Sequence, residues 1–540
     1  MPIKTTQIIP TMKQQSDLTV EQLREENARL LALLAQQEST IETLRHQLHL
    51  FRNARFGRKS EKGVVPEQMA LQFDEAEPSS EQDESTVEPS QTETITYTRA
   101  KKGTGRKALP KSLPYVEQIH DLSDEEKHCD CGCELTHIGD DISEQLDVVP
   151  QMTFRVVHVR KKYACKTCEE TIQTAKLPKQ PIPQSIASSG LLAAVIDAKF
   201  NRHMPLYRQE AMFKEAGIPV TRATLCNWVV KAADLLTPLV KLMVAAIHDY
   251  DIAYADETPV QVLKQKNKPP TSKSYMWLFI GGPPDKRCYV YQYHPSRTHQ
   301  IPADFFSDFS GYLHADCYGG YVALDKEDHV THVACMAHAR RYFVDVVKLA
   351  GKKKGIAHKV LTYFTELYQL EASLKEAKAA PDDIYQARQK EAKPILDELK
   401  DFVEDKKINI PPKSPLGKAV HYLLTHWVAL KRYLDDGRLE IDNNRTERSI
   451  KPFVIGRKNW LFHGNETGAK AGAILYSLIE TCKQHQVDAF AWLKYALTNI
   501  QYAETIEQLE ALLPFHVNPS ELENMRSLPA LEMPEKSGVN

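Results

Sequence analysis

The sequence predicts a mixed α/β core that is interrupted by an all-α insertion and preceded by small N-terminal modules. After residue 250, short runs rich in Val, Ile and Tyr alternate with one helix-like run. Residues 350–435 are rich in Lys, Glu, Leu and Ala with helical periodicity, and a cluster of cysteines lies far upstream. The 540 residues suggest about three or four domains at ~150 residues each.

Charge and hydropathy exclude some classes of protein. The net charge of −2 excludes a uniformly basic DNA-binding protein, although it allows charge in blocks. No run of ~20 apolar residues is present, so no membrane span is expected. The N-terminal run "MPIKTTQIIPTMKQQ" lacks the apolar core of a secretion signal.

Residues 18–51 carry a heptad repeat, which predicts a coiled coil. One series of a/d positions runs from Val20 through Asn27 to Leu48, and the other runs from Leu23 to Phe51. A buried Asn27 would fix the register of a two-stranded state. The alternative is an amphipathic helix that packs on its own domain. The basic residues that follow would contact phosphates or form a solvated helix end: Arg52, Arg55, Arg58, Lys59 and Lys62.

The next segment has the composition of a linker. Residues 65–98 hold nine Asp or Glu and no Lys or Arg, and such a segment buries too little apolar area to fold. The run "RAKKGTGRKALPK" then reverses the sign of the charge. It is typical of a flexible basic arm for a nucleic-acid groove, or equally of a tethered basic linker.

Five of the ten cysteines fall within residues 129–168 and predict a structural zinc site. The C-x-x-C spacing of the second pair is that of a zinc knuckle, and four thiolates leave no position open for water. Which two of the first three cysteines bind stays open, with Cys131 favoured because Gly132 follows it. The predicted ligands are Cys129, Cys131, Cys165 and Cys168, with Cys133 as the alternative and His128 as a substitute.

Two helices joined by a short turn are predicted between residues 187 and 233. Gly217 ends the first helix, and Thr221 is the expected N-cap of the second. This is the arrangement of DNA-reading motifs, in which Arg222, Thr224 and Asn227 would face bases. A plain helical hairpin has the same spacing, and spacing alone favours it.

Two acidic residues mark the predicted strands of the core. Asp256 in "YADET" and Asp316 in "LHADCYGGY" are each expected at the end of a strand. Carboxylates at one sheet edge are placed to share a divalent metal such as Mg²⁺. Each one alone would be read as a turn residue that ends a strand. The pair, with a third acid downstream, favours the metal site.

The third acid is Glu447, in "LEIDNNRTERSIKPFVIGRKNWLF" at residues 439–462. Asn443, Glu447 and Lys451 are spaced by four and share one helical face, so Glu447 would complete the metal site. Pro452 is expected to end this helix. A solvated helix face would explain the charge of this run by itself, but not the two acids upstream. The candidate DNA contacts are Arg222, Asn227, Arg340, Arg341, Asn443, Arg448, Lys451, Arg457 and Lys458; His338 is a phosphate contact or a core residue.

Three carboxylates with two magnesium ions form a centre for phosphoryl transfer. Two ions stabilise both the attacking and the leaving oxygen of an in-line displacement, and one lowers the pKa of water for strand cleavage. A 3′-hydroxyl can then replace water as the nucleophile.

Several long runs in order resemble the transposases of the insertion sequence 66 family of bacteria over nearly the whole chain. They include "CGCELTHIGDDISEQLD", "YADETPVQVL", "LHADCYGGY", "CMAHARR" and "EIDNNRTERSIKPFVIGRKNWLFHG". The resemblance implies an RNase H-like, retroviral-integrase-like core with a helical insertion, and a DDE triad at Asp256, Asp316 and Glu447. The run C-x-C-G-C departs from a plain first knuckle, which leaves the first ligand pair open.

The resemblance also implies partners and cofactors. The implied partners are the terminal inverted repeats of the element, target DNA and small accessory proteins, and the implied cofactors are Mg²⁺ or Mn²⁺ and Zn²⁺. The implied location is the bacterial cytoplasm, in association with the nucleoid. The predicted coiled coil indicates in addition a homodimer or a higher homo-oligomer. A DNA-binding regulator with an inactive core, and an RNase H-like nuclease without strand joining, are the rival functions.

The predicted organisation has eight parts. In order they are a coiled coil with a basic tail (18–62), an acidic then basic disordered linker (63–112), a zinc-binding module (113–180), a helix-turn-helix region (181–245), the first part of the core (246–348), the helical insertion (349–436), the last part of the core (437–500) and a C-terminal tail (501–540).

Overall fold

The computed structural model describes residues 29–30, 153–154, 156–158, 162–164, 172–174, 177–350 and 354–526. The chain forms two compact units, one of residues 1–71 with 178–540 and one of residues 72–177. The predicted coiled coil, except for helical Arg29 and Leu30, lies outside the described residues, as do the linker and all five clustered cysteines. No helix in the described part is long and apolar enough to cross a membrane.

In the smaller unit the structure describes one antiparallel hairpin. Strand β1 (Lys162–Ala164) pairs with β2 (Ile172–Thr174), with Tyr163 opposite Gln173. The predicted zinc ligands Cys165 and Cys168 fall in sequence between these two strands.

From residue 178 onward, the larger unit begins with three helices: α1 (Ser189–Ile196), α2 (Leu206–Glu215) and α3 (Arg222–His248). Thr221 caps α3 as predicted, since its hydroxyl accepts the Thr224 N–H at 3.3 Å. Gly217 follows α2 with a φ of +73°, a conformation that glycine adopts without strain. A π-helical turn at Asp197–Asn201 extends α1.

A six-stranded mixed sheet forms the centre of the larger unit. Its strands are β3 (Ile252–Lys264), β4 (Lys273–Gly281), β5 (Cys288–His294), β6 (Gly311–Ala315), β7 (Val330–Ala334) and β8 (His463–Asn465). Helix α4 (Gln300–Phe305) follows β5, α5 (Gly319–Leu324) follows β6 and α6 (Met336–Ala350) follows β7. Five strands lie in the order β5-β4-β3-β6-β7, and β8 pairs with β3 off this path. Strand β3 pairs antiparallel with β4, and β4 with β5, whereas β3, β6 and β7 run parallel.

The two faces of the sheet bury different aromatic side chains. On one face Trp277 and Phe279 of β4 contact Tyr321 of α5 and Phe305 of α4, with ring centroids 6.0 Å and 3.7 Å apart. On the other face Tyr291 of β5 lies 6.2 Å from Phe453. Because side chains alternate along a strand, the two faces are packed by different parts of the chain.

The described helical insertion contains helices only, as the sequence predicted. They are α7 (Ile356–Glu376), α8 (Pro381–Ala387), α9 (Lys393–Lys407), α10 (Pro415–Thr425) and α11 (Trp427–Lys431), with a π-helical turn at Arg388–Ala392. The buried Arg388 forms an ion pair with Glu371 at 2.8 Å and donates to the carbonyl oxygens of Tyr433, Asp436 and Leu439.

The helix after the insertion, α12 (Asn444–Trp460), runs through Pro452, so the prediction that Pro452 ends it was wrong. Buried Ile450 and Phe453 pack on either side of the proline, and this packing outweighs one lost backbone hydrogen bond. The helix ends where Leu461 takes a positive φ of +65°.

The chain closes with β8 (His463–Asn465), which pairs with the end of β3, and with α13 (Glu466–Gln484), α14 (Ala489–Asn499), α15 (Ile506–Glu510) and α16 (Pro519–Arg526). Helix α13 covers the edge strand β5: the hydroxyls of Ser477 and Thr481 accept the N–H groups of Tyr291 and Tyr289. The region assigned to the tail thus carries packed helices, since Leu512 and Leu513 are buried.

Candidate active site

Strand β3 carries two adjacent acids, Asp256 and Glu257, on opposite faces of the sheet. Asp256 lies across from Leu278, which lies across from Tyr291, on the face that α12 covers. Glu257 lies across from Trp277, on the face of α5. Asp256 sits within β3, so its predicted position at a strand end was wrong.

Glu257 is held by fixed partners. The Tyr321 hydroxyl donates to Glu257 Oε2 at 2.7 Å, and the Arg297 guanidinium forms an ion pair with Oε1. The Glu257 side chain is only 3% exposed. Burial raises the pKa of Glu257, and the bonds from Tyr321 and Arg297 oppose that rise. These contacts make Glu257 a structural acid that ties β3 to α5.

Asp256 has few partners and acidic neighbours. Its Oδ1 accepts the Glu257 N–H at 2.8 Å. Burial raises the pKa of Asp256 well above its usual range, and the charges of Glu257, Asp316 and Glu447 raise it further. The two more distant predicted acids therefore lie close enough to act on Asp256.

Asp316 follows β6 directly, as predicted. Tyr254 of β3 pairs with His314 of β6, and the same register continued by two residues brings Asp316 opposite Asp256. Asp316 Oδ1 accepts the Tyr318 N–H at 2.9 Å, and its carbonyl oxygen contacts His332 Nε2 at 3.1 Å. These bonds fix the turn that presents the carboxylate.

Glu447 lies in the first turn of α12, and Asn443 anchors that turn to β3. The Asn443 side-chain amide donates to the carbonyl oxygen of Ala255 at 3.0 Å, and its backbone N–H donates to Cys335 Sγ at 3.1 Å. Asn443 is buried and bonded inside the protein, so its assignment as a DNA contact was wrong. Its bond to the residue before Asp256 brings Glu447 to the same edge of the sheet.

Two basic side chains of α6 flank the Glu447 carboxylate. His338 Nε2 lies 3.7 Å from Oε1, and Arg341 Nη2 lies 3.6 Å from Oε2. Glu447 Oε1 is buried and has no hydrogen-bond partner among the described residues. Asp316 and Glu447 thus reach the site from separate elements, and a basic rim borders it.

The donor set fits a hard divalent cation. Three carboxylates supply oxygen ligands, which Mg²⁺ and Mn²⁺ prefer. Glu447 Oε1 lacks a hydrogen-bond partner among the described residues, and burial with nearby like charge raises the pKa of Asp256, as expected where a bound cation would stabilise both carboxylates. Among the described residues, Cys335, His338 and Glu447 place possible ligand atoms within 4.8 Å of one another, whereas Asp256 and Asp316 belong to no such group.

Comparison with known proteins identifies the family. The model "Transposase IS66 family" matches residues 184–471, which include all three acids. The model "IS66 C-terminal element" matches residues 477–515. The chain belongs to the IS66 family of transposases. This confirms the family that the sequence motifs indicated.

Relatives occur in Sinorhizobium fredii (strain NBRC 101917 / NGR234). The uncharacterized protein y4jD is 34% identical over 76% of this chain and 81% of its own length. The uncharacterized protein y4qI is 30% identical over 92% of each chain. The similarity to y4qI therefore covers a larger share of this transposase than the similarity to y4jD.

Two further models match the N-terminal part of the transposase. The model "zinc-finger binding domain of transposase IS66" matches residues 126–169 and supports a zinc-binding module where the cysteines cluster. The model "Transposase C of IS166 homeodomain" matches residues 43–117, a range that begins in the predicted coiled coil and spans the predicted linker.

The remaining predicted DNA contacts differ in their exposure and in their partners within the protein. Arg448 and Lys451 are exposed on α12, and Arg222 and Asn227 are exposed near the start of α3. Arg457 instead donates to the Thr258 hydroxyl at 3.2 Å and to the Pro259 carbonyl oxygen. Lys458 is exposed on α12, and Arg340 is half-buried, with Nε buried and without a hydrogen-bond partner in the described part of the chain.

Sequence reasoning missed the residues that hold the acids in place. Arg297, Tyr321 and Asn443 each bond to β3, and no local spacing links them to it. One signal was available: the alternation of a strand predicts that the side chains of Asp256 and Glu257 leave opposite faces of the sheet and take different partners.

Proposed function

We propose that this transposase binds the terminal inverted repeats of an insertion sequence and catalyses DNA strand cleavage and strand transfer. Asp256, Asp316 and Glu447 form its DDE triad and hold Mg²⁺ or Mn²⁺. The proposal is supported most by one observation: the β3–β6 register continues to bring Asp316 opposite Asp256, and Asn443 ties the helix of Glu447 to Ala255 beside Asp256, although the three acids are far apart in sequence.

The order and direction of the strands support an RNase H-like core. Three antiparallel strands precede two parallel ones, and the first strand lies in the middle of the sheet. The first acid lies on that strand, the second follows the fourth strand and the third lies on a helix after the insertion. Ligands of open α/β sheets bind outside the carboxyl ends of parallel strands, where Asp316 lies.

In this proposal the acidic residues bind the metal ions and the basic residues bind the DNA. The carboxylates of Asp256, Asp316 and Glu447 hold the divalent ions, and the raised pKa of Asp256 means that metal binding displaces a proton more readily as pH rises. When bound, two such ions stabilise the attacking and leaving oxygens of an in-line displacement. Arg448 and Lys451, exposed on the helix of Glu447, contact DNA phosphates.

The test is cleavage of terminal-repeat DNA by purified protein with Mg²⁺. We expect nicking at the 3′ ends, and loss of at least three orders of magnitude in rate in Asp256→Asn, since removal of a metal ligand removes the charge stabilisation on which the displacement depends. Asp308→Asn, at an exposed acid before β6, is the matched control and should cleave like the wild type. Equal cleavage by Asp256→Asn would refute the triad.

A strand-transfer assay separates transposition from its rivals. In this assay, the 3′-hydroxyl of a labelled, pre-cleaved repeat end takes the place of water as the nucleophile. A transposase should join these labelled ends to target DNA. Cleavage without joining would identify a structure-specific nuclease. Sequence-specific retention of DNA without metal-dependent cleavage would identify a regulator.

The zinc module and the assembly are part of the same proposal. We propose Cys129, Cys131, Cys165 and Cys168 as ligands, with Cys133 as the alternative, and a homodimer or higher homo-oligomer formed through the N-terminal heptads. Zinc quantification should find about one ion per chain. Less than about half an ion per chain would contradict the four-cysteine site.

A further inference from the structure

His338 lies at the edge of the sheet where Asp316 follows β6. It lies in the first turn of α6, which follows β7 after a single residue, and β7 runs parallel to β6. The loops after parallel strands meet at one edge, so His338 and Asp316 approach the same place from neighbouring strands.

The contact between His338 and Glu447 is too long for a hydrogen bond. Nε2 and Oε1 lie 3.7 Å apart, whereas a charge-assisted bond would close to about 2.7–2.9 Å. Cis ligands of an octahedral cation with ~2.1 Å bonds lie roughly 3 Å apart. Glu447 Oε1 is buried without a hydrogen-bond partner in the described part of the chain, and one cation would satisfy both atoms.

The histidine ring is not committed to another role. His338 Nδ1 is buried and has no hydrogen-bond partner within the described residues, so no contact there fixes the tautomer. Nε2 can therefore present its lone pair toward the Glu447 carboxylate. Arg341 already supplies a positive charge at the other oxygen of Glu447, so a second cationic side chain is not needed there.

Cys335 is the third residue of the cluster that it forms with His338 and Glu447, and its sulfur already has a hydrogen-bond donor. Its Sγ accepts the backbone N–H of Asn443 at 3.1 Å. Sulfur is a soft ligand that suits a hard cation poorly. Cys335 thus positions the start of α12, and His338 and Glu447 remain as the metal-ligating pair of the cluster.

We infer that His338 is a fourth metal ligand of the active site, where its imidazole shares with Glu447 one of the divalent ions. This inference rests on the proposed function, since it concerns the same ions. An imidazole ligand shifts the preference of a carboxylate site from Mg²⁺ toward transition-metal ions such as Mn²⁺ and Co²⁺.

The experiment uses the untagged full-length protein with its zinc retained, and Mn²⁺ as the probe. Pulsed electron paramagnetic resonance detects an imidazole nitrogen that is bound directly to Mn²⁺. We expect this coupling in the wild type and its loss in His338→Ala, together with a fall of about tenfold in Mn²⁺ affinity. His421→Ala, at an exposed histidine of α10, is the matched control and should keep both.

A second variant distinguishes the loss of a metal ligand from misfolding of His338→Ala. His338→Asp supplies an oxygen in place of the nitrogen, so it should bind Mn²⁺ and Mg²⁺ without the nitrogen coupling. Bound Mn²⁺ that shows no nitrogen coupling in the wild type, or coupling that persists in His338→Ala, would overturn the role of His338 alone. Full Mn²⁺ affinity in Asp256→Asn would overturn the triad instead, so the two failures are distinguishable.

Discussion

At the scale of single residues, Asp256 and Glu257 show how neighbours in sequence take different roles. Glu257 bonds to Tyr321 and Arg297 and stabilises the packing of β3 on α5. Asp256 faces the other acids and is destabilised by burial and like charge. Such unfavourable placement is typical of functional residues, where activity is maintained at the expense of stability.

The raised pKa of Asp256 predicts that Asp256→Asn is more stable than the wild type without added divalent metal. The folded chain binds this proton more tightly than the unfolded chain, whose Asp pKa is about 3.9. The free energy of unfolding of the wild type therefore falls as the pH rises from about 4 through the raised pKa of folded Asp256. The asparagine that replaces Asp256 in the variant does not titrate, so the variant does not lose this contribution. Melting temperatures from pH 4 to 8 should diverge in favour of the variant. A variant that melts lower at neutral pH would contradict this.

The hydrogen bonds of Asn443 lead us to expect that this residue positions Glu447. Asn443→Ala removes the bond to the Ala255 carbonyl oxygen and leaves that buried acceptor unpaired. We expect a loss of about 1–3 kcal/mol in the free energy of unfolding, and weaker Mn²⁺ binding because Glu447 is displaced. Chemical denaturation and metal titration measure the two effects. Asn459→Ala, at the exposed end of α12, is the control, and equal effects of both variants would exclude the anchor.

At the scale of elements, the insertion is joined to the catalytic helix through buried Arg388. Its guanidinium is 2% exposed, pairs with Glu371 of α7 and donates to Leu439, shortly before α12 begins. Burial without these partners would be unfavourable, so all of the contacts must form together. The insertion and the start of α12 are therefore expected to fold as one unit.

Arg388→Met tests this coupling. It leaves the Glu371 carboxylate and three carbonyl oxygens without their donor, and we expect a loss of about 3–5 kcal/mol. Chemical denaturation should show the loss, and cleavage should fall because Glu447 follows the displaced segment. Lys390→Met, exposed two residues away, should change neither. An unchanged denaturation midpoint for Arg388→Met would show that the anchor is dispensable.

At the scale of the whole molecule, the net charge of −2 means that DNA binding depends on local groups of cations. We propose that Arg448 and Lys451, which are exposed on α12 close in sequence to Glu447, form one such group. Phosphate contacts release counter-ions, so affinity falls with salt in proportion to the number of contacts.

Lys451→Ala should reduce the slope of log affinity against log salt by about one. The loss should be similar for repeat and unrelated DNA, because phosphate contacts do not read sequence. Fluorescence anisotropy over a range of salt concentrations measures the slope. Lys326→Ala, exposed before β7 at the opposite end of that strand, should keep the wild-type slope. An unchanged slope for Lys451→Ala would remove it from the DNA interface.

Local sequence signals determined much of this protein. The Thr221 cap, the all-α insertion, the position of Asp316 after β6 and the family motifs depend on neighbouring residues, and they were predictable. Local signals failed at Pro452, because tertiary packing of Ile450 and Phe453 outweighs the helix-breaking tendency of proline.

Only the tertiary structure decided how the acids are held. Asn443 has the sequence context of a phosphate contact, yet it is a buried anchor, because its partner Ala255 lies far away in the chain. Glu257 is bonded to Arg297 and Tyr321, which only the folded sheet brings to it. Spacing along a chain specifies faces of helices and strands, whereas which faces meet depends on packing between distant segments.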